Sequence, residues 1–108
     1  RLAVAAGGRP ETLAGLSGVG DLMVTCFSCL SRNHAFGVRI GKGERTQAIL
    51  ASQNTVAEGV NTSRSALEFA RSRNVEVPII ESVYRILHED LSPSAALVKL
   101  MSRELKKE

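Results

Sequence analysis

Residues 78–88 read Pro78-Ile79-Ile80-Glu81-Ser82-Val83-Tyr84-Arg85-Ile86-Leu87-His88, and the apolar members Ile79, Ile80, Val83, Ile86 and Leu87 recur at the spacing of one helical face. Pro78 supplies the start, because its missing N–H falls where a helix has no internal partner for one. No stretch alternates apolar and polar residues with the period of a strand. The chain therefore reads as helical, and the other segments are parsed outward from this one.

Upstream, a helix spans about Val60 to Arg73, with Ala66, Leu67 and Ala70 on one face, Arg64, Glu68 and Arg71 on others, and Asn74 as its stop. Downstream, Ser92 as N-cap and Pro93 open a last helix whose apolar face is Leu97, Leu100, Met101 and Leu105. Toward the N-terminus, Ala48, Ile49 and Leu50 mark a short segment, which the loop Gly41-Lys42-Gly43 separates from a helix capped by Ser31 and running through Phe36, Val38 and Ile40. Asp21 to Cys26 reads as a helix or a buried turn. Pro10 opens a brief helix through Leu13 and Leu16 that Gly18 ends, and Arg1 to Ala6 is a helix tail closed by Gly7-Gly8. The sum is a single all-α domain of six to seven helices over residues 1–108.

Bulk composition agrees with one globular unit: 108 residues, 44% hydrophobic and 23% charged. With only Phe27, Phe36, Phe69 and Tyr84 as aromatics, the core must be built from Leu, Ile, Val and Ala. The net charge of +3 comes from basic residues interleaved with glutamates; the dense run Arg103 to Glu108 reads as a solvated helix end. A nucleic-acid-binding module, the main alternative, lacks a basic recognition face on its best helix, Ile79 to Leu87; a ligand-free dimerisation domain is the other alternative. No apolar run approaches the roughly 20 residues of a membrane span, and no signal peptide is visible, so a cytoplasmic protein is expected.

Cys26 and Cys29 form a C-x-x-C, but the only histidines, His34 and His88, are single, so no second ligand pair completes a zinc site and no metal is expected. Two semi-buried, unpaired thiols are the expectation. Two glycine pieces invite nucleotide readings and both fail. Gly18-Val19-Gly20 has Met23 at the third small position of a dinucleotide fingerprint. Gly41-Lys42 has Gly43 where a magnesium-binding hydroxyl would stand.

What remains is a polar cluster in an otherwise apolar stretch: Asp21, Thr25, then Ser31, Arg32 and Asn33. At a helix start, free backbone N–H groups and the positive dipole end favour an anion, and Arg32 adds a planar fork of donors suited to phosphate. The same residues read equally well as a plain N-cap with a surface arginine, and Asp21 as a helix cap or as a carboxylate paired with a cationic group.

Gly15-Leu16-Ser17-Gly18-Val19-Gly20-Asp21-Leu22 with Thr25-Cys26, followed by Ser31-Arg32-Asn33 and Phe36-Gly37, closely resembles the signature stretch of the bacterial and plastid-type NAD(P)-dependent glycerol-3-phosphate dehydrogenases. Val56-Ala57-Glu58-Gly59 with Asn61-Thr62, and Val77-Pro78-Ile79 with Tyr84, are similar to two further family segments. The resemblance implies the all-helical, substrate-binding C-terminal domain of an enzyme that interconverts dihydroxyacetone phosphate and sn-glycerol 3-phosphate with NAD or NADP, in the synthesis of phospholipid precursors. It implies that Ser31, Arg32 and Asn33 bind the substrate phosphate, that Arg32, Val56 and Glu58 touch the cofactor, and that Asp21 and Thr25 support catalysis, Asp21 also touching substrate. The N-terminal Rossmann domain of the same protein is the implied partner, with the substrate; no nucleic acid is implied, a homodimer is left open, and the compartment is the cytoplasm or the plastid stroma. Arg1 stands inside an amphipathic stretch, as in a cut helix, and no lysine precedes Lys42, so the family's catalytic lysine and dinucleotide fold are expected to lie outside these residues and the isolated chain to be inactive.

Overall fold

In a computed structural model, which describes residues 1–52 and 57–103, the chain is helical throughout its ordered elements, with no strand among the described residues. The helices are α1 (Leu2–Ala5), α2 (Pro10–Ala14), α3 (Asp21–Phe27), α4 (Arg32–Gly41), α5 (Thr46–Ser52), α6 (Glu58–Ser72), α7 (Pro78–His88) and α8 (Pro93–Met101), with a π-helical turn at Leu16–Gly20. Proline stands at the start of α2, α7 and α8, and Ser31 and Ser92 cap α4 and α8 by accepting from the N–H groups of His34 and Ala95. Asn74, at φ 53°, is in the left-handed conformation that ends a helix, as its position after Arg73 predicts.

The core lies between α4, α5, α6 and α7. Phe36, Ile40, Ile49, Ala57 and Val60 are buried together, and Leu50, Ile86 and Leu87 pack against them. A second link joins α6 to α7: the Nε2 of His88 lies 3.1 Å from the Val60 carbonyl oxygen and 3.2 Å from the Oγ of buried Ser63, while its ring rests against Tyr84. That arrangement satisfies the polar atoms a buried serine brings into an apolar contact.

Four expectations are corrected. Gly18 does not end a helix: the backbone continues into the π-helical turn, where the N–H groups of Gly18 and Gly20 both bond the Gly15 carbonyl at 3.2 Å. Gly18 is there because its Cα passes so close to the Leu13 carbonyl that a Cβ would collide with it. Asp21 to Phe27 is a regular helix but not a buried one, so Cys26 and Cys29 are exposed free thiols rather than semi-buried. In α8 only Ala96 is buried and Leu100 is half-buried, while Leu97 and Met101 are exposed, because α8 meets the body along the edge that carries Ala96 and Leu100; Leu105 lies outside the described residues, as does the run from residue 104 to the end. Finally, the helices number eight among the described residues, because Asp21–Phe27 and Thr46–Ser52, short segments in the sequence, both close into helices.

The most regular apolar stripe is also incompletely covered. On α7, Ile86 and Leu87 reach the core, whereas Ile79 and Val83 are exposed and the buried residue is Ser82. Val83 faces a hollow of about 350 Å³ between α4 and α7, lined also by Phe36, Gly37, Ile40 and Gly41. No described helix is long and apolar enough to cross a membrane.

Candidate functional site

Two helix N-termini converge beside α3. The first is that of α4, where Ser31 is the N-cap and Arg32 and Asn33 are the opening residues. The second is that of α6, where Ala57 is the N-cap position and Glu58 and Gly59 follow. Ala57 has no polar side chain and caps nothing itself. The N–H of Gly59 is satisfied from outside the helix instead: it donates to the Asn33 Oδ1 at 2.9 Å. The Arg32 guanidinium simultaneously donates to the carboxylate of Glu58. Two side chains at the start of α4 therefore clamp two successive residues at the start of α6.

The consequence is electrostatic. Each N-terminus carries roughly half a positive charge from its aligned peptide dipoles, and the two ends meet next to a guanidinium. Arg32 and Glu58 are more than half exposed, so their ion pair is a surface contact, worth at most about 1 kcal/mol, and the guanidinium remains accessible to a competing anion. The open cleft at this point has a volume of about 360 Å³; Thr25, Ser28, Ser31, Arg32, Asn33 and Glu58 contribute its polar groups. Leu30 and Val24 form its apolar margin.

Of the residues singled out in the sequence, Thr25, Ser31, Arg32, Asn33 and Glu58 come together in this cleft although 33 positions separate the first from the last, and Asp21 does not line it. Asp21 is the first residue of α3, one turn before Thr25 on the same face, and forms no cap: the N-cap position is Gly20. Val56 lies outside the described residues. The Asn33–Gly59 bond and the Arg32–Glu58 pair were not foreseen. No sequence signal pointed to them: the spacing predicts a helix from about Val60, and only the fold shows an N-cap position, Ala57, whose side chain cannot cap.

An all-helical unit carrying an open polar cleft at two joined helix ends is the class these observations define. Residues 1–98 match the family described as NAD-dependent glycerol-3-phosphate dehydrogenase C-terminus, and the chain belongs to that family. It is 47% identical over all 108 residues to a glycerol-3-phosphate dehydrogenase [NAD(P)+] of Geobacter sulfurreducens, and 51% identical over the same length to that of Myxococcus xanthus. The chain spans 32% of the length of each of these relatives. Its fold matches the crystal structure of glycerol-3-phosphate dehydrogenase from Coxiella burnetii with a TM-score of 0.89 and 38% identity, over 95% of this chain and 32% of that one. The all-α architecture expected from the sequence is thus the one observed, and the resemblance read from its motifs is that of the family to which it belongs.

Proposed function

We propose that residues 1–108 form the C-terminal, substrate-binding domain of an NAD(P)-dependent glycerol-3-phosphate dehydrogenase, holding the phosphate shared by sn-glycerol 3-phosphate and dihydroxyacetone phosphate. The observation that carries this reading is the meeting of the α4 and α6 N-termini around the accessible guanidinium of Arg32. Backbone N–H groups, the Ser31 hydroxyl, the Asn33 amide and the Arg32 fork are donors matched to a phosphate, and a fixed planar fork positions it better than a point charge. Arg32 is thereby drawn from Glu58, whose carboxylate is suited to accept from hydroxyl groups of NAD(H) or NADP(H), the cofactor that, when bound, would take the hydride from sn-glycerol 3-phosphate or return it to dihydroxyacetone phosphate. Val56 is assigned to the same cofactor by resemblance. Asp21 and Thr25, on the α3 face leading to the cleft, are the residues assigned to support proton transfer beside the substrate.

In this reading the remainder of the enzyme, a Rossmann domain preceding these residues, carries most of the cofactor, and the protein works in the cytoplasm or the plastid stroma on a precursor of phospholipids. The test is a chimera in which this chain replaces the matching third of the Geobacter sulfurreducens relative. The chimera is expected to oxidise sn-glycerol 3-phosphate with NAD or NADP. Within it, Arg32→Ala should lower kcat/KM by about 2 to 4 kcal/mol, roughly thirty- to a thousand-fold, and Arg32→Lys by less. A folded chimera without activity, or an Arg32→Ala variant with unchanged constants, overturns the proposal.

A further inference from the structure

Asn33 lies directly across Gly59. A Cβ placed on Gly59 would sit 2.7 Å from the Asn33 Oδ1, closer than such atoms approach one another, and 3.1 Å from its Cγ, so the Asn33 amide would have to turn aside to admit it. The backbone of Gly59 has no positive φ, so glycine is not required there for its conformational freedom; what it supplies is room. The N–H of the same residue takes the Asn33 Oδ1 at 2.9 Å. An amide side chain carries an oxygen that accepts at one end and a two-proton donor at the other, and holding the oxygen against one partner fixes the direction in which the donor end faces. With the oxygen engaged by Gly59, the amide is oriented with its Nδ2 protons as the part that Gly59 does not take.

We propose that Gly59 is a positioning residue for the anion subsite: its bare Cα admits the Asn33 amide and its N–H fixes the amide oxygen, so that Asn33 meets a phosphate as a donor only. The inference rests on the reading of this cleft as a phosphate site and adds a cause of its selectivity. A freely rotating asparagine would offer its oxygen to a neutral hydroxyl as readily as its protons to a phosphate oxygen; the latched one favours the anion. It also couples the two helices. Anything that moves the start of α6 turns the Asn33 amide, although Gly59 itself touches no ligand.

The test uses the 108-residue chain labelled with ¹⁵N and titrated with inorganic phosphate and, separately, with sn-glycerol 3-phosphate. In the wild-type chain both probes should shift the Asn33 side-chain amide pair together with the backbone signals of Ser31 to His34. Gly59→Ala should weaken binding of both by about tenfold, the size of one hydrogen bond to a charged group, and should abolish the Asn33 side-chain shift. Because Gly59 is argued to act through Asn33, the double variant Gly59→Ala/Asn33→Ala should bind no more weakly than Asn33→Ala alone. If Gly59→Ala does not fold, Asn33→Asp takes its place: its carboxylate still accepts from the Gly59 N–H and preserves the thermal melt, but without donors it should lose phosphate. Phosphate binding at wild-type strength in Gly59→Ala or in Asn33→Asp, or additive losses in the double variant, overturns the inference while leaving the phosphate site standing. A wild-type chain whose α4 and α6 signals ignore both probes overturns the phosphate reading itself, and this inference with it.

Discussion

Residues 1–30 and residues 31–88 are built from the same kinds of amino acid and end in opposite states. No residue of the first stretch is buried, and Leu16, Phe27 and Leu30 are exposed at 90%, 81% and 93%. The second stretch contains Ile49 at 0% and the rest of the central cluster. Helix propensity and breakers place short helices equally well in both, but short helices derive most of their stability from packing an apolar face, and only α4 to α7 have one another to pack against. The N-terminal elements instead pack on their neighbours in sequence, α2 and α3 on the π-helical turn between them, and reach the body through α3 against α4 and through Arg73, which donates to the Ala5 carbonyl at 3.4 Å. The Cα radius of gyration of 14.7 Å exceeds the roughly 13 Å of a fully condensed chain of this length, in keeping with a body and a less integrated arm. An exposed row of large apolar side chains in a helical arm is a surface fitted to be covered.

That contrast is most severely tested at Ile49. Its truncation to alanine empties the centre of the cluster and should cost about 2 to 5 kcal/mol in denaturant-induced unfolding. A loss below about 1 kcal/mol would mean that the body is no better packed than the arm. Asn33→Ala removes the acceptor that caps α6 from another helix and should lower stability by about 1 kcal/mol, without changing the helicity of α2 and α3 by circular dichroism. Substitutions in the arm should be nearly silent. Phe27→Ser, and Cys26→Ser with Cys29→Ser, are expected to stay within about 0.5 kcal/mol of the parent, since none removes a buried side chain. A larger cost would show that the arm folds onto the body in solution.

The smallest effect concerns a pair at the edge of the body. Arg39 donates to both carboxylate oxygens of Glu44, at 2.9 and 3.0 Å, and to the Ser52 hydroxyl at 2.9 Å, linking α4 to α5. The hydrogen bond from Arg39 holds the Glu44 carboxyl below the usual glutamate range, and the same bond raises the guanidinium above the ordinary arginine value. A depressed carboxyl stabilises the fold above its unfolded value, near pH 4.3, and that contribution fades as the pH falls through the lower, folded value. The raised arginine is charged in both states at every ordinary pH and adds no dependence. Thermal melts of the parent and of Glu44→Gln should therefore differ slightly at neutral pH and converge as the pH falls below the usual glutamate range. An equal difference at acid pH would remove the pair from the account of how α4 and α5 are joined.

Local chemistry decided much of this protein in advance. The prolines that open α2, α7 and α8, the serines that cap α4 and α8, and Asn74 in its left-handed conformation are contacts within a few residues, so the sequence carries them complete. The motif order that identifies the family is linear too, and so is Ser31 as the cap of a helix that opens with Arg32 and Asn33. What sequence could not decide was which apolar faces meet. Periodicity says that a helix has a face to bury and says nothing about what covers it, so the strongest stripe, on α7, is half open while Ser82 is inside. Nor could it bring Arg32 to Glu58 or Asn33 to Gly59 across 26 positions. Those contacts exist because the packing of α4 on α6 sets their two N-termini side by side, and a hydrogen bond between distant residues forms only where the tertiary fold has already placed donor and acceptor within reach.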